Sequence, residues 1–411
     1  MHNQDIFQNQ TFYMKHPHKK RYSNFTQRIF TLSIALLFMS QWNARAAYYD
    51  REITIHQVAD SLGHDTITMA FVGDLMCHAS QFEKARTANG YDFRPVFEPV
   101  KKYLSGADLT FGNLETVTAG AEAKFTGYPQ FNTPVEYLDA LKESGFDVLT
   151  TANNHSLDRR FPGVVRTLEE LDKRNIYHTG TARSATERNT PLILNKGSIK
   201  IGVLAYTFST NGIPIPVGQS FCVNMIDTAQ IRKDVQSARN AGAQAIAAFM
   251  HWGDEYARFA KPAQIALADF LHEQGIMLII GSHPHVLQPS QLRGWGDVAS
   301  FTVYSLGNFI SGQRKQYTDC GMILRITLIK NRSTGEFKYE KLDYIPTYVS
   351  TANGYRILPV SDAMKAIRTG NKSHPAYTAD KGEQLRIEQV WKETTKHMDD
   401  HSLGLIAAEE D

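Results

Sequence analysis

The chain has 411 residues, 42% of them hydrophobic, and its 44 Lys and Arg against 42 Asp and Glu give a formal charge of +2. That balance excludes a disordered polyelectrolyte, and with no basic face beyond the N-terminal cluster it gives no footprint for nucleic acid. Three cysteines, Cys77, Cys222 and Cys320, allow at most one intramolecular disulfide, so the fold is not disulfide-built.

The N-terminal stretch carries Lys15, Lys19, Lys20, Arg21 and Arg28, then an apolar run over residues 29–39, then Ala44-Arg45-Ala46. A basic region, a short apolar core and a small-x-small site predict an export signal peptide over 1–46, cleaved after Ala46. The apolar run is too short for a comfortable span, and an uncleaved anchor is the alternative. Both readings place the body outside the cytoplasm, either periplasmic or membrane-associated.

Residues 47–64 read as a lead-in. The run 67–72 predicts a strand ending in Gly73-Asp74-Leu75-Met76, where Gly73 lets the backbone turn closely and Asp74 projects as a candidate metal ligand, with His78 four residues on. Val96, Phe97, Val100 and Leu104 predict one helix over 93–104. Residues 108–115 repeat the strand plan, with Gly112 and Asn113 before Glu115. The loop 128–131 is expected to cover the site, and Pro134 opens a helix through Tyr137, Leu138 and Leu141. Strand 146–151 leads into Asn153, Asn154, His155 and Asp158.

A helix over 164–174 and a strand over 176–178 are followed by a turn region, a core strand at 199–206, a surface loop at 207–217 and a helix at 226–241. Strand 245–250 delivers His251, Trp252 and Glu255, and after a helix at 262–274 strand 276–280 delivers His283-Pro284-His285. With one residue between them, the two imidazoles would share one side of a continuing extended chain, and Pro284 marks where pairing stops. Strand 301–306 ends in Gly307-Asn308-Phe309, the segments 321–330 and 337–345 predict a hairpin, and a helix over 381–397 closes the chain.

Polar groups thus follow one strand after another, the place where open α/β sheets bind ligands. Carboxylate, amide and imidazole without thiolate suit manganese, iron or zinc, and two such divalent ions about 3.5–4 Å apart would clamp a phosphoryl group. Trp252 is read as packing, Asn308 and Gln288 as residues that hold loops, Cys77 as a small buried side chain, and Glu255 equally as a base or an exposed carboxylate.

In order, Gly73-Asp74-Leu75-Met76, Gly112-Asn113-Leu114-Glu115, Asn153-Asn154-His155 with Asp158, His251-Trp252-Gly253 with Glu255, Gly281-x-His283-Pro284-His285 with Gln288, and Ser305-Leu306-Gly307-Asn308-Phe309 resemble the poly-γ-glutamate capsule biosynthesis protein CapA family. That family is related to the calcineurin-like metallophosphoesterases, and the resemblance spans roughly residues 67–312. It implies an α/β fold, a four-layer αββα sandwich, taken here as residues 47–345 with a β/α extension at 346–411. It also implies that Asp74 and His285 hold one ion and Asn154, His251 and His283 a second, with Glu115 between them and His155 as general acid. His78, Asn113, Glu255 and Asn308 are further candidates. Two positions depart from the phosphoesterase pattern: Met76 stands where that pattern has histidine, and Glu115 where it has aspartate. The implied function is a metal-dependent hydrolase or transferase in capsule or envelope-polymer production, acting on a polyanionic polymer or a phosphoester. A non-catalytic polymer-binding subunit of a membrane capsule-synthesis complex is the alternative, and a glycosidase-like pair of Glu115 and Glu255 is a third.

Overall fold

Alternation along the first strand sets the architecture. In β1 (His64–Leu75), Ile67, Met69 and Phe71 join the core between two sheets, while Ala70 and Val72 join the core under a layer of helices. The computed structural model describes residues 63–294, 299–402 and 405–408. The chain divides into Met1–Leu62 and Gly63–Asp411, and the signal peptide expected at 1–46 lies outside the described residues.

After β1 come α1 (Ala79–Ala85), the small ladder of β2 (Arg86–Thr87) and β3 (Gly90–Tyr91), α2 (Arg94–Phe97), a 3-10 turn at Glu98–Val100 and α3 (Lys101–Leu104). The single helix expected at 93–104 is therefore broken. Pro99 sits in the turn, where it offers no N–H to a carbonyl one turn back and its ring crowds that carbonyl. Then β4 (Leu109–Leu114), α4 (Glu136–Glu143), β5 (Val148–Thr150), α5 (Arg160–Lys173) and β6 (Tyr177–Thr179) extend a parallel run from β1.

The second sheet follows α6 (Ala185–Asn189). It is built from β7 (Leu192–Lys196), β8 (Ile199–Thr207), β9 (Ala245–His251), β10 (Leu278–Ser282), β11 (Leu287–Arg293) and β12 (Ser300–Leu306), with α7 (Thr228–Asn240) and α8 (Pro262–Glu273) between strands. Its order is β11-β12-β10-β9-β8-β7, with β8, β9, β10 and β12 parallel. Both edge strands, β7 and β11, escape the sequence reading because Asn195, Lys196, Gln288 and Gln291 give them little apolar alternation.

β13 (Asn308–Ile310) returns to the first sheet beside β1, and β14 (Cys320–Asn331) and β15 (Phe337–Ser350) form the expected hairpin. β15 continues through Ile345 to Ser350, so the division taken at 345 falls inside a strand. β16 (Arg356–Pro359), α9 (Val360–Thr369), α10 (Lys381–His401) and β17 (Ile406–Ala407) complete this side. α9 also goes unread in the sequence, although Gly370 closes it in the left-handed conformation usual at a helix C-terminus.

The layers follow from which residues alternate. Ala245, Ala247 and Phe249 of β9 meet Phe71 and Phe111 between the sheets, whereas Ile246, Ala248 and Met250 pack with Ile231, Val235 and Leu271 of α7 and α8. On the far side Leu138, Leu141, Val164 and Leu168 of α4 and α5 cover the first sheet. This is an αββα sandwich. The rings of Phe71, Phe111 and Phe249 pack together at 4.9–5.9 Å between centroids in its centre, with Phe111 stacked on both of the others. No helix among the described residues is long and apolar enough to cross a membrane.

Candidate metal centre

Parallel strands deliver their last residues to one end of the sandwich, and this is where the polar groups converge. Two close backbone approaches allow it. A Cβ on Gly73 would lie 1.9 Å from the Gly307 carbonyl oxygen, and one on Gly281 would lie 1.9 Å from the Tyr304 carbonyl oxygen. Without side chains at these points, Asp74 N–H donates to Gly307 at 3.0 Å and β10 runs flush against β12.

Asp74 is fully buried and well supplied with donors. Its Oδ1 accepts from Asn113 Nδ2 at 2.8 Å, and its Oδ2 lies 3.0 Å from His285 Nδ1. His285 Nδ1 is also 3.0 Å from Asn308 Oδ1. Two oxygen acceptors hold a proton on Nδ1 and turn Nε2 toward Glu115 Oε1 at 3.9 Å. Burial alone would raise the Asp74 carboxyl, but the hydrogen bond and charge of His285 outweigh it and hold Asp74 below its ordinary range.

Glu115 has the opposite surroundings. Both carboxylate oxygens are buried and neither has a hydrogen-bond partner. Burial, and then the negative charge of Asp74, push its carboxyl well above the usual range. An acid left without donors in a dry site costs free energy that a bound cation would offset. On the other side of Glu115, His251 Nε2 is 3.7 Å from Oε1 and 2.9 Å from Asn154 Oδ1, while His251 Nδ1 is 3.1 Å from Ser282 Oγ. Burial and then neighbouring His283 hold His251 well below its ordinary pKa; burial takes His283 down to about 4. Both rings are therefore neutral at pH 7, the form that binds metals, and His283 Nδ1 is buried without a partner.

The ligand atoms of Glu115, His251 and His283 lie within 4.8 Å of one another, as do those of Asp74, Glu115 and His285. Ligands about 2.1 Å from one ion stand roughly 3.0–3.4 Å apart at octahedral or tetrahedral angles, close to the 2.9–3.9 Å spacings seen here. The donor set and the orphaned oxygens of Glu115 therefore fit divalent cations. His283 and His285 reach these two groups in the left-handed region rather than by a continuing extended chain: their φ values are 97° and 59°, and their rings stand 5.9 Å apart. Left-handed non-glycine residues on either side of a proline are strained, and such strain clusters at functional sites.

His155 lies in the turn after β5. Its Nδ1 is 2.7 Å from Asp158 Oδ2, which also accepts the Phe131 N–H at 2.7 Å. The Phe131 ring meets His155 edge-on at 4.7 Å and His78 at 5.1 Å, so the segment 128–131 packs against this histidine. His78 stands outside both ligand groups: its Nδ1 accepts the Gly312 N–H at 3.1 Å, and burial lowers it to about 4. Glu255 is exposed. Gln288 donates to the carbonyls of Ala257 and Phe259, and Trp252 donates to the carbonyl of Tyr304, so both hold structure. Asn308 does both jobs, donating to the Thr318 carbonyl at 2.9 Å while its oxygen meets His285. Cys77 is buried, its thiol pushed up to about 12 by burial.

Residues 68–313, which hold every one of these ligand candidates, match the family described as Bacterial capsule synthesis protein PGA_cap. The chain belongs to this family. Among relatives it is 28% identical over 292 residues to PGA biosynthesis protein CapA of Bacillus subtilis (strain 168), covering 68% of this chain and 72% of that one. It is 25% identical over 346 residues to capsule biosynthesis protein CapA of Bacillus anthracis, covering 82% and 80%. Among solved structures, the NAD nucleotidase NadN of Haemophilus influenzae aligns with a TM-score of 0.44 at 12% identity over 81% of this chain and 60% of that one.

Three side chains of this PGA_cap family member stand at the centre without having been singled out in the sequence. Ser282, immediately before His283, orients His251. Asn211 accepts from Asn154 Nδ2 at 3.2 Å. Phe208, 45% exposed, lies 4.7 Å from the His283 ring and walls that side of the site. Its one sequence signal is a large aromatic residue just past a strand end, directly before the polar run Ser209-Thr210-Asn211.

Proposed function

We propose that this chain is an exported metal-dependent hydrolase or transferase that acts on an anionic polymer or phosphoester during capsule or envelope-polymer production. The observation that carries the reading is Glu115, buried, without hydrogen-bond donors, and shared by two ligand groups. Asp74, Glu115 and His285 would hold one divalent ion, and Glu115, His251 and His283, with the Asn154 oxygen, a second. Manganese, iron or zinc bound there would supply Lewis-acid polarisation of a phosphoryl or acyl oxygen and a nucleophilic water at neutral pH. The protein's own part is positional. The Asp158 carboxylate accepts from His155 Nδ1–H and so aims Nε2, the atom from which the doubly protonated ring would pass a proton to a leaving oxygen, while Phe131 packs the imidazole in place. Phe208 limits water above His283.

A second reading, a non-catalytic polymer-binding subunit of a membrane capsule-synthesis complex, is favoured by Met76. It is 1% exposed, with its backbone tied to Ile310 and Gln81, and it supplies no ligand where the related phosphoesterases have histidine. The deciding experiment loads purified residues 47–411 with Mn²⁺, measures bound metal and follows hydrolysis of bis(p-nitrophenyl) phosphate. Metal uptake with turnover supports the enzyme; polymer binding with no turnover under any metal supports the accessory subunit. Mass spectrometry of the exported protein tests cleavage after Ala46.

A further inference from the structure

Three tyrosines, one of them against His285, adopt the left-handed conformation that L-residues rarely take: Tyr256, Tyr317 and Tyr355, with φ of 67°, 68° and 66°. Each has a cation on its ring. Lys315 Nζ is 3.8 Å from the Tyr256 centroid, and the guanidinium carbons of Arg258 and Arg314 are 4.0 and 5.3 Å from Tyr317 and Tyr355. Among the described residues none of these cations has a carboxylate partner, and Arg258 Nε is buried without any hydrogen bond. Arg314 and Lys315 are exposed.

The cluster is tied to the centre at two points. Tyr256 N–H donates to Pro284, between His283 and His285, at 2.8 Å, and its ring is 6.3 Å from His285. The loop bearing Arg314, Lys315 and Tyr317 follows β13, and Gln313 Oε1 accepts from Asn308, the residue that meets His285. Of the acids next to these tyrosines, Asp254 pairs with Lys261 and Asp319 with Arg386, which leaves Glu255 against Arg258, Arg314 and Lys315, so positive charge is in excess. A cation resting on an aromatic face keeps N–H groups free at its outer edge for an anion.

We infer that Arg258, Arg314 and Lys315 form an anion subsite beside the metal centre, one that holds the charged repeat of a linear polyanion adjacent to the repeat at the metals. The inference rests on the proposed function for the place of the reacting group, and its own readout is binding. The shared ligand chemistry is a carboxylate or phosphate recurring along a chain.

The test measures Kd of the Mn²⁺-treated full chain for two probes, a γ-linked glutamate decamer and a glycerol phosphate decamer, at low and high salt. We expect the Arg258→Gln/Arg314→Gln/Lys315→Gln variant to raise Kd about tenfold, from three contacts of modest strength each, and to flatten the salt dependence. The probe that loses affinity identifies the anion. Lys315→Arg should restore the lysine contribution. Lys338→Gln, at the other end of the β14–β15 hairpin, should leave Kd unchanged. Equal affinity of the triple variant and wild type for both probes overturns the inference, as does equal weakening by Lys338→Gln or failure of wild type to bind either probe. Absent bis(p-nitrophenyl) phosphate hydrolysis with the binding difference intact counts against the enzyme reading and leaves the subsite standing.

Discussion

Replacing Glu115 by glutamine removes the charge common to both ligand groups while keeping the side chain's size. In the chelated protein the carboxylate has no donors and is pushed toward its neutral form by burial and Asp74, so Glu115→Gln should leave chelated stability unchanged or slightly higher. With metal the order should reverse. A ligand at a thousand times its Kd stabilises by about 4.1 kcal/mol. If loss of the shared ligand weakens binding about a hundredfold, the same free Mn²⁺ stands at ten times Kd and contributes roughly 1.4 kcal/mol. For a unit spanning Gly63–Asp411 the melting entropy is roughly 0.7 kcal/mol/K, so the Mn²⁺-induced rise in Tm should fall from about 6 °C to about 2 °C. Differential scanning fluorimetry of both proteins, in chelator and in excess Mn²⁺, reads this directly. Equal Mn²⁺-induced shifts in wild type and Glu115→Gln would refute the role given to Glu115.

His155→Ala should keep bound metal and slow turnover by about 10²–10⁴-fold, with a smaller defect on substrates with good leaving groups; loss of metal in metal analysis would make His155 a ligand. Asp158→Asn should retain metal and lower kcat, because the amide removes the carboxylate charge that faces the doubly protonated ring, and an unchanged kcat would argue against the dyad. Gly73→Ala should destabilise by several kcal/mol in urea melts, since its Cβ would meet the Gly307 carbonyl oxygen at 1.9 Å and the backbone must move. His78 is held neutral down to about 4 by burial, whereas its unfolded form takes a proton below about 6.5. Its contribution is therefore present above pH 6.5 and lost as pH falls through about 4, roughly 3 kcal/mol in all. Urea melts of chelated wild type should show this loss and His78→Asn should show less of it; identical pH dependence in the two would contradict it.

How far the sequence carried the site depended on where each residue sits. Asp74, Glu115, His251 and His283 each follow an apolar run that becomes a buried parallel strand, and such runs are legible because both faces are covered. Their convergence from two sheets is not a local property; the family resemblance supplied it, and the contacts of Asp74 with His285 and of Glu115 with His251 show it. The conformation of His283-Pro284-His285 is not legible in the sequence, because extended continuation is the local default whereas both histidines are left-handed in the fold. Phe208, Ser282 and Asn211 were missed because their roles consist of contacts across the fold. Edge strands β7 and β11 were missed because an edge tolerates polar residues on both faces.

The most direct test of the account is a crystal structure of the Mn²⁺-soaked protein with anomalous scattering measured at the manganese edge. The account predicts two anomalous peaks with Glu115 between them, one contacting Asp74 and His285 and the other His251, His283 and Asn154. Well-ordered Glu115 with no peak beside it, or peaks only at other residues, would contradict it.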